Sequence, residues 1–186
     1  FNNTEIAFSG KNNKDLTRSY WLFKIIGWNW LIKIGPSLLK IFLPLWFPIP
    51  IIKSTIFKQF CGGENINDCE STINDLSSTN VKTILDYSVE GIEEEHVFDE
   101  NINEIIAGIK KATTTTNIPF CVFKVTGFGR FGLLEKVNAN KALSPKETEE
   151  YNRVTNRVNT MCKAGFENNI PIFIDAEETW IQNVID

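Results

Sequence analysis

Three short runs rich in β-branched and aromatic residues constrain this chain more than any other feature: 81–89 (VKTILDYSV), 118–125 (IPFCVFKV) and 170–174 (IPIFI). Each is followed by a stretch of helical character. Parallel strands cannot be joined by a tight turn and need a crossover, which a helix supplies, so the alternation predicts an α/β fold with a parallel sheet. The helix over 144–168 has the clearest start, with Ser144 at the N-cap, Pro145 at the first position and Glu147 at the third. Further helices are expected over 94–114 and from Asp175-Ala176-Glu177-Glu178 to the chain end. Ahead of the first strand, a helix over 14–34 should stop at Gly35-Pro36. A second should run from Pro36 to the prolines at 44–50, and a third over 65–78. The division is therefore an N-terminal helical arm, 1–80, and a β/α part, 81–186.

In parallel sheets and barrels the reactive groups gather where strands end. Those ends carry Glu90, Lys124 and Asp175. Glu90, ahead of Glu93-Glu94-Glu95, has a second reading as part of an acidic helix start, where the helix dipole favours carboxylates. Asp175 has one as the N-cap of the last helix. Lys124 follows the apolar run Pro119-Phe120-Cys121-Val122-Phe123, and a lysine on a buried strand needs an anionic partner or loses its proton. An inward ion pair accounts for Asp86, a solvated helix position for His96, and a first-turn charge pair for Glu177-Glu178.

Charge is distributed unevenly. The net charge is -4, which gives no broad positive field for a phosphate backbone, so nucleic acid is not expected as a partner. Yet residues 16–63 contain no Asp or Glu, six Lys or Arg, and four of the five tryptophans: Trp21, Trp28, Trp30 and Trp46. Two readings fit: helices packing on the rest of the domain with lysines in solvent, or a basic, tryptophan-rich surface resting on an anionic membrane. The longest uncharged run, 41–52, has twelve residues and three prolines, too short and too broken to span a bilayer. The opening FNNTEIAFSG lacks the basic start and apolar core of a secretory signal, and because it begins on Phe1 a start upstream is expected. One histidine and no CxxC pair fit no zinc site. The four cysteines read as buried reduced thiols of an intracellular protein.

Gly127-Phe128-Gly129-Arg130-Phe131-Gly132 spells GxGxxG after a strand and raises an NAD(P)-binding Rossmann-type oxidoreductase as an alternative. The spacing opposes it. An acidic ribose ligand belongs about twenty residues past the glycines, whereas the next strand ends at Asp175, and the intervening helix is expected to start at Ser144.

The segments 85–91 (LDYSVEG), 122–127 (VFKVTG) and 173–178 (FIDAEE) together resemble the first three strand motifs of the proline dehydrogenase (proline oxidase) family. The segments 55–64 (TIFKQFCGGE) and 3–8 (NTEIAF) are similar to its N-terminal helical region. The resemblance implies a flavin enzyme on a distorted (β/α)8 TIM-type barrel. Such an enzyme oxidises L-proline to 1-pyrroline-5-carboxylate by hydride transfer to N5 of FAD, then passes the electrons to a membrane quinone. It further implies that Lys124 binds the proline carboxylate, that Asp175 sits beside flavin and substrate as an active-site acid, and that the Ala176 backbone approaches the cofactor. Glu90 would orient a substrate-binding arginine. Residues 16–63 would then make peripheral contact with an inner membrane, bacterial or mitochondrial.

The same resemblance exposes a shortfall. A closed barrel needs eight strands, and three are legible here, so the chain reads as the first three β/α units behind a helical arm. Three parallel strands leave an open edge. The expectation is a piece of a longer protein, or a chain that works only with a complementing partner, binding FAD poorly and turning over no proline alone. A non-catalytic membrane-surface module is the remaining alternative.

Overall fold

The computed structural model describes residues 2–42, 44, 48–87, 91 and 93–186. The chain divides into two compact units, Phe1–Val81 and Lys82–Asp186.

The first unit is helical. Asn3 and Asn12 cap α1 (Thr4–Ala7) and α2 (Asn13–Ile26) through their side-chain oxygens, which accept the amides of Ile6 and Asp15 at 3.1 and 2.9 Å. The helix expected over 14–34 is in fact two. It breaks at Gly27, a costly residue inside a helix, and α3 (Asn29–Phe42) resumes and runs through Gly35-Pro36. A proline restricts the residue before it partly through that residue's Cβ, which Gly35 lacks. Beyond lie α4 (Pro48–Ile52), a wide π-type turn over Lys53–Phe57, α5 (Lys58–Phe60) and α6 (Cys69–Ser77). Ser19 donates to Gln59 at 2.6 Å, tying α2 to α5. Trp46 lies outside the described residues.

The second unit holds most of the core. In α7 (Glu95–Ala112) the positions 98, 101, 105, 109 and 112 recur at helical spacing and are buried. It leads into β1 (Cys121–Phe123), a 3-10 turn (Val125–Gly127), α8 (Phe131–Asn138), α9 (Pro145–Glu167), β2 (Ile172–Ile174) and α10 (Gln182–Ile185). The predicted capping box is present: the Glu147 amide donates to Ser144 Oγ, and the Ser144 amide to Glu147 Oε2. Helices α6, α8 and α9 end alike. Asn80, Asn140 and Asn169 adopt φ of 53–60°, and the next amide reaches the carbonyl five residues back: Val81 to Leu76, Lys141 to Lys136, Ile170 to Gly165. Asparagine tolerates that left-handed conformation and so stops each helix.

The sheet pairs β1 and β2 in parallel, with Cys121, Val122 and Phe123 opposite Ile172, Phe173 and Ile174. A hydrogen bond at each end extends it, Cys121 N to Pro171 O and Asp175 N to Phe123 O. The fold is thus α/β, mostly helical with a small parallel sheet. Two expectations need correction. Residues 81–87 form no strand: the Thr83 amide bonds to Asn117 O, but Val81, Ile84, Asp86 and Tyr87 are exposed. Without a partner edge or a covered face, β propensity alone does not make a strand. The inward ion pair assigned to Asp86 falls with it. Residues 88–90 lie outside the described set. The helix expected at Asp175 also does not open there, because Asp175 and Glu177 are held by β1 and the turn after it.

Candidate functional site

Beyond the paired strands the register continues by one residue and brings Lys124 level with Asp175. Partners across a parallel pair share a face, so these two side chains stand on one face of the sheet; a slip of one residue would part them. Burial supports this. Cys121 and Phe123 are buried and Val122 and Lys124 half-buried, in strict alternation. On the opposite strand Phe173, Ile174 and Asp175 are all exposed, so the alternation is carried by β1 alone.

A cavity of about 500 Å³ opens at these strand ends, lined among others by Lys124, Thr126, Asp175, Ala176, Glu177 and Glu178. Three of the four residues singled out from sequence therefore meet: Lys124, Asp175 and Ala176. The fourth, Glu90, lies outside the described residues, although its neighbour Gly91 lines the cavity with φ of 76°. Among the described lining residues, Lys124 stands with the carboxylates of Glu93, Asp175, Glu177 and Glu178. Such a lining can hold a zwitterion, with the carboxylate toward Lys124 and the nitrogen toward Asp175. Phe131, Gly129 and Gly91 add apolar area and bare backbone, which suit a flat ring. Among the described residues no three His, Cys, Asp or Glu gather closely enough to hold a metal ion.

Glu177 is not half of a first-turn charge pair. Its Oε1 accepts the Thr126 amide at 3.1 Å, and its Oε2 accepts the Thr126 hydroxyl. From beneath, Asn101 Nδ2 donates to Gly127 O at 2.8 Å, and Arg157 Nη1 to Phe128 O at 3.1 Å. Both side chains are buried. Arg157 also pairs with Asp99 and Glu95 and lies over the Phe98 ring. Arg153 and Arg157 together hold the Glu95 carboxyl down at about 2. Arg157 was legible in principle, since 154, 157, 161 and 165 form the buried stripe of α9. Asn101 falls likewise on the buried stripe of α7.

The glycines at 127 and 129 serve the turn and its packing, whereas a Cβ on Gly132 would meet nothing within 4 Å. Gly127 closes the 3-10 turn, and a Cβ on Gly129 would stand 2.5 Å from Val154 Cγ2 on α9. A helix does begin here, α8 at Phe131, contrary to the expectation that the first would start at Ser144. Bidentate Arg130–Glu150 and Lys136–Glu147 pairs bind α8 to α9. His96 is exposed, as expected. Of the cysteines, Cys121 is buried and its thiol pushed up to about 11, Cys69 and Cys162 are half-buried, and Cys61 is exposed, against the expectation of four buried thiols.

A second feature lies within the N-terminal unit. Trp21, Trp28 and Trp30 are exposed, Trp28 stacks on Trp30 at 6.1 Å, and Lys24 Nζ lies 4.9 Å from the Trp21 ring centre. Among the described residues no helix is long and apolar enough to cross a membrane.

A family model described as proline dehydrogenase matches residues 69–186. Among curated proteins, the chain is similar to proline dehydrogenase 1, mitochondrial, of Dictyostelium discoideum, at 23% identity across 98% of this chain and 39% of that protein. It is also similar to proline dehydrogenase 2, mitochondrial, of Arabidopsis thaliana, at 27% across 73% and 37% respectively. A third relative, the carbapenem antibiotics biosynthesis protein CarD of Pectobacterium carotovorum subsp. carotovorum, is 26% identical across 72% of this chain and 35% of its own length. The chain thus spans between a third and two fifths of these relatives.

Proposed function

Since the chain belongs to the proline dehydrogenase family, we propose that it is part of an FAD-dependent enzyme that oxidises L-proline to 1-pyrroline-5-carboxylate. The observation that carries the reading is the cavity at the strand ends, where Lys124 and Asp175 share one face of the sheet. The two strands and their helices are then the start of a (β/α)8 barrel. The exposed side chains of Phe173 and Ile174 are the inner face and edge that later strands would cover.

Within that cavity Lys124 holds the proline carboxylate as a fixed positive charge. Asp175 accepts from the ring nitrogen and turns the adjacent C–H outward, and the Ala176 backbone borders the cofactor. Glu90, beside Gly91, orients an arginine supplied by the rest of the protein. Bound FAD supplies the two-electron acceptor. The remaining share of this chain is positioning: one cation, one carboxylate and a rim that limits water.

The electrons go on to a membrane quinone, and the N-terminal unit suits such delivery. Its exposed Trp21, Trp28 and Trp30, with the cations of residues 16–63 and no acid among them, fit the interface of an anionic bilayer. A peripheral place on the mitochondrial inner membrane agrees with the relatives whose names are mitochondrial.

The test uses the longer protein that carries this chain, purified with its flavin. Proline should bleach the visible flavin band without any added nicotinamide cofactor. Turnover that needs NAD(P), or no bleaching by proline, overturns the proposal.

A further inference from the structure

We propose that Thr126 and Glu177 form a latch across the mouth of the cavity, and that they are positioning residues which set the spacing between Lys124 and Asp175. The inference rests on the reading of the cavity as the proline site. It deepens that reading by assigning a role to two residues whose types alone suggest none.

The backbone ladder between β1 and β2 ends where Asp175 N donates to Phe123 O at 2.9 Å. Past that rung the strands would be free to splay. The chain after β1 curls into the 3-10 turn at Val125–Gly127, and the chain after β2 makes no helix until Gln182. Lys124 and Asp175 occupy the first positions past the paired residues, at the last rung. Two residues further on each side, the Glu177 carboxylate takes both the amide and the hydroxyl of Thr126. The ion therefore replaces the missing rungs, and the substrate-facing pair is bracketed between a backbone bond and a bidentate side-chain bond. Hydrogen bonds to a carboxylate are the stronger kind.

Thr126 cannot drift as the other half of the latch, because its turn is pinned from the opposite side. Asn101 and Arg157, both buried, take the carbonyls of Gly127 and Phe128 at 2.8 and 3.1 Å. Any yielding must come from the Glu177 side. Breaking the latch thus lets Asp175 move relative to Lys124 while α7, α8 and α9 keep their packing.

Two measurements test this. In the longer flavin-bound protein, Thr126→Val should raise the proline KM roughly tenfold, the loss expected of one hydrogen bond to a charged group, and lower kcat less. Thr126→Ser, which keeps the hydroxyl, should restore KM to within about threefold. Thr126→Val added to Glu177→Ala should change KM little beyond Glu177→Ala alone, because both remove one latch. The second measurement needs no activity: the Thr126 amide should be protected from hydrogen exchange in the chain itself and lose protection in Glu177→Ala. An unprotected Thr126 amide overturns the latch. So does an unchanged KM in Thr126→Val, or a Thr126→Ser that is no better than Val, in a protein whose flavin proline does bleach. A protein whose flavin proline fails to bleach removes the proline reading instead, and the exchange result then decides the latch by itself.

Discussion

The two units spend their apolar residues in opposite ways. Among the described residues, the buried apolar side chains of Phe1–Val81 are Leu22 and Ile73; those of Lys82–Asp186 run from Phe98 to Ile181 through three helices and a strand. The first unit leaves Tyr20, Trp21, Phe23, Trp28 and Trp30 open to solvent. Exposed aromatics in such number cost solubility unless something covers them, whereas in the second unit Phe98, Phe123 and Phe128 are buried in a core, with Phe166, Phe173 and Trp180 left outside it. The difference separates a unit whose side chains are arranged for its own stability from one whose side chains are available to something else.

The largest expected effect that could break this contrast is in the second unit, at Arg157. Replacing it by Met leaves Phe128 O without its donor and strips Glu95 and Asp99 of a buried cation. Both carboxylates are well exposed, so the loss should fall near 3 kcal/mol, the low end for breaking a buried pair. Thermal or denaturant unfolding measures it, and a loss under about 1 kcal/mol would mean that the second unit is not organised around this clamp.

A smaller effect is expected at Gly165. Alanine is the better helix former by about 1 kcal/mol, but its Cβ would lie 2.5 Å from Ile172 Cγ1 and 2.9 Å from Ile170 O. The carbonyl is backbone and cannot turn aside. Overpacking of this kind costs roughly 1–3 kcal/mol, so Gly165→Ala should destabilise on balance, and stabilisation would show that β2 sits looser on α9 than described.

Acid should weaken the second unit more gently. The Glu95 carboxyl is held at about 2, well below its ordinary 4.5, by Arg153 and Arg157, and Glu147 at about 2 by Lys136 and the Ser144 cap. A carboxylate whose folded pKa is depressed contributes fully above its unfolded pKa, so stability should hold above about pH 5 and decline as pH falls toward 2. Both groups are half-buried but reached by solvent, and added salt should shrink the effect. Stability that rises on acidification would contradict these pairings.

The smallest effect on stability is expected in the first unit, and it sharpens the contrast most. Trp28→Ser and Trp30→Ser should each shift unfolding by less than about 0.5 kcal/mol, as for surface positions. The same substitutions should weaken co-sedimentation of the chain with anionic vesicles, and that binding should fade with salt. Unaltered vesicle binding would return these tryptophans to ordinary packing.

What was legible in the sequence follows local physics. The capping box at Ser144, the strands around Cys121–Phe123 and Ile172–Ile174, and the positions of Lys124 and Asp175 at strand ends all depend on near neighbours along the chain. The errors share a cause as well. Residues 81–87 have the composition of a strand, but a strand requires an edge and a covered face, which local composition does not supply. Gly27 ended a helix that Gly35-Pro36 did not; Gly35 lacks the Cβ through which a proline restricts its predecessor. Glu177 read as a helix-start charge because its partner Thr126 lies 51 positions away, beyond any local pattern.

The central claim is that Lys124 presents its charge to the substrate carboxylate on the face it shares with Asp175. Steady-state kinetics of Lys124→Met in the longer flavin-bound protein tests it most directly. The account predicts a proline KM raised by at least about tenfold, as befits the loss of a charge-assisted contact. A KM equal to that of the unsubstituted protein would contradict it.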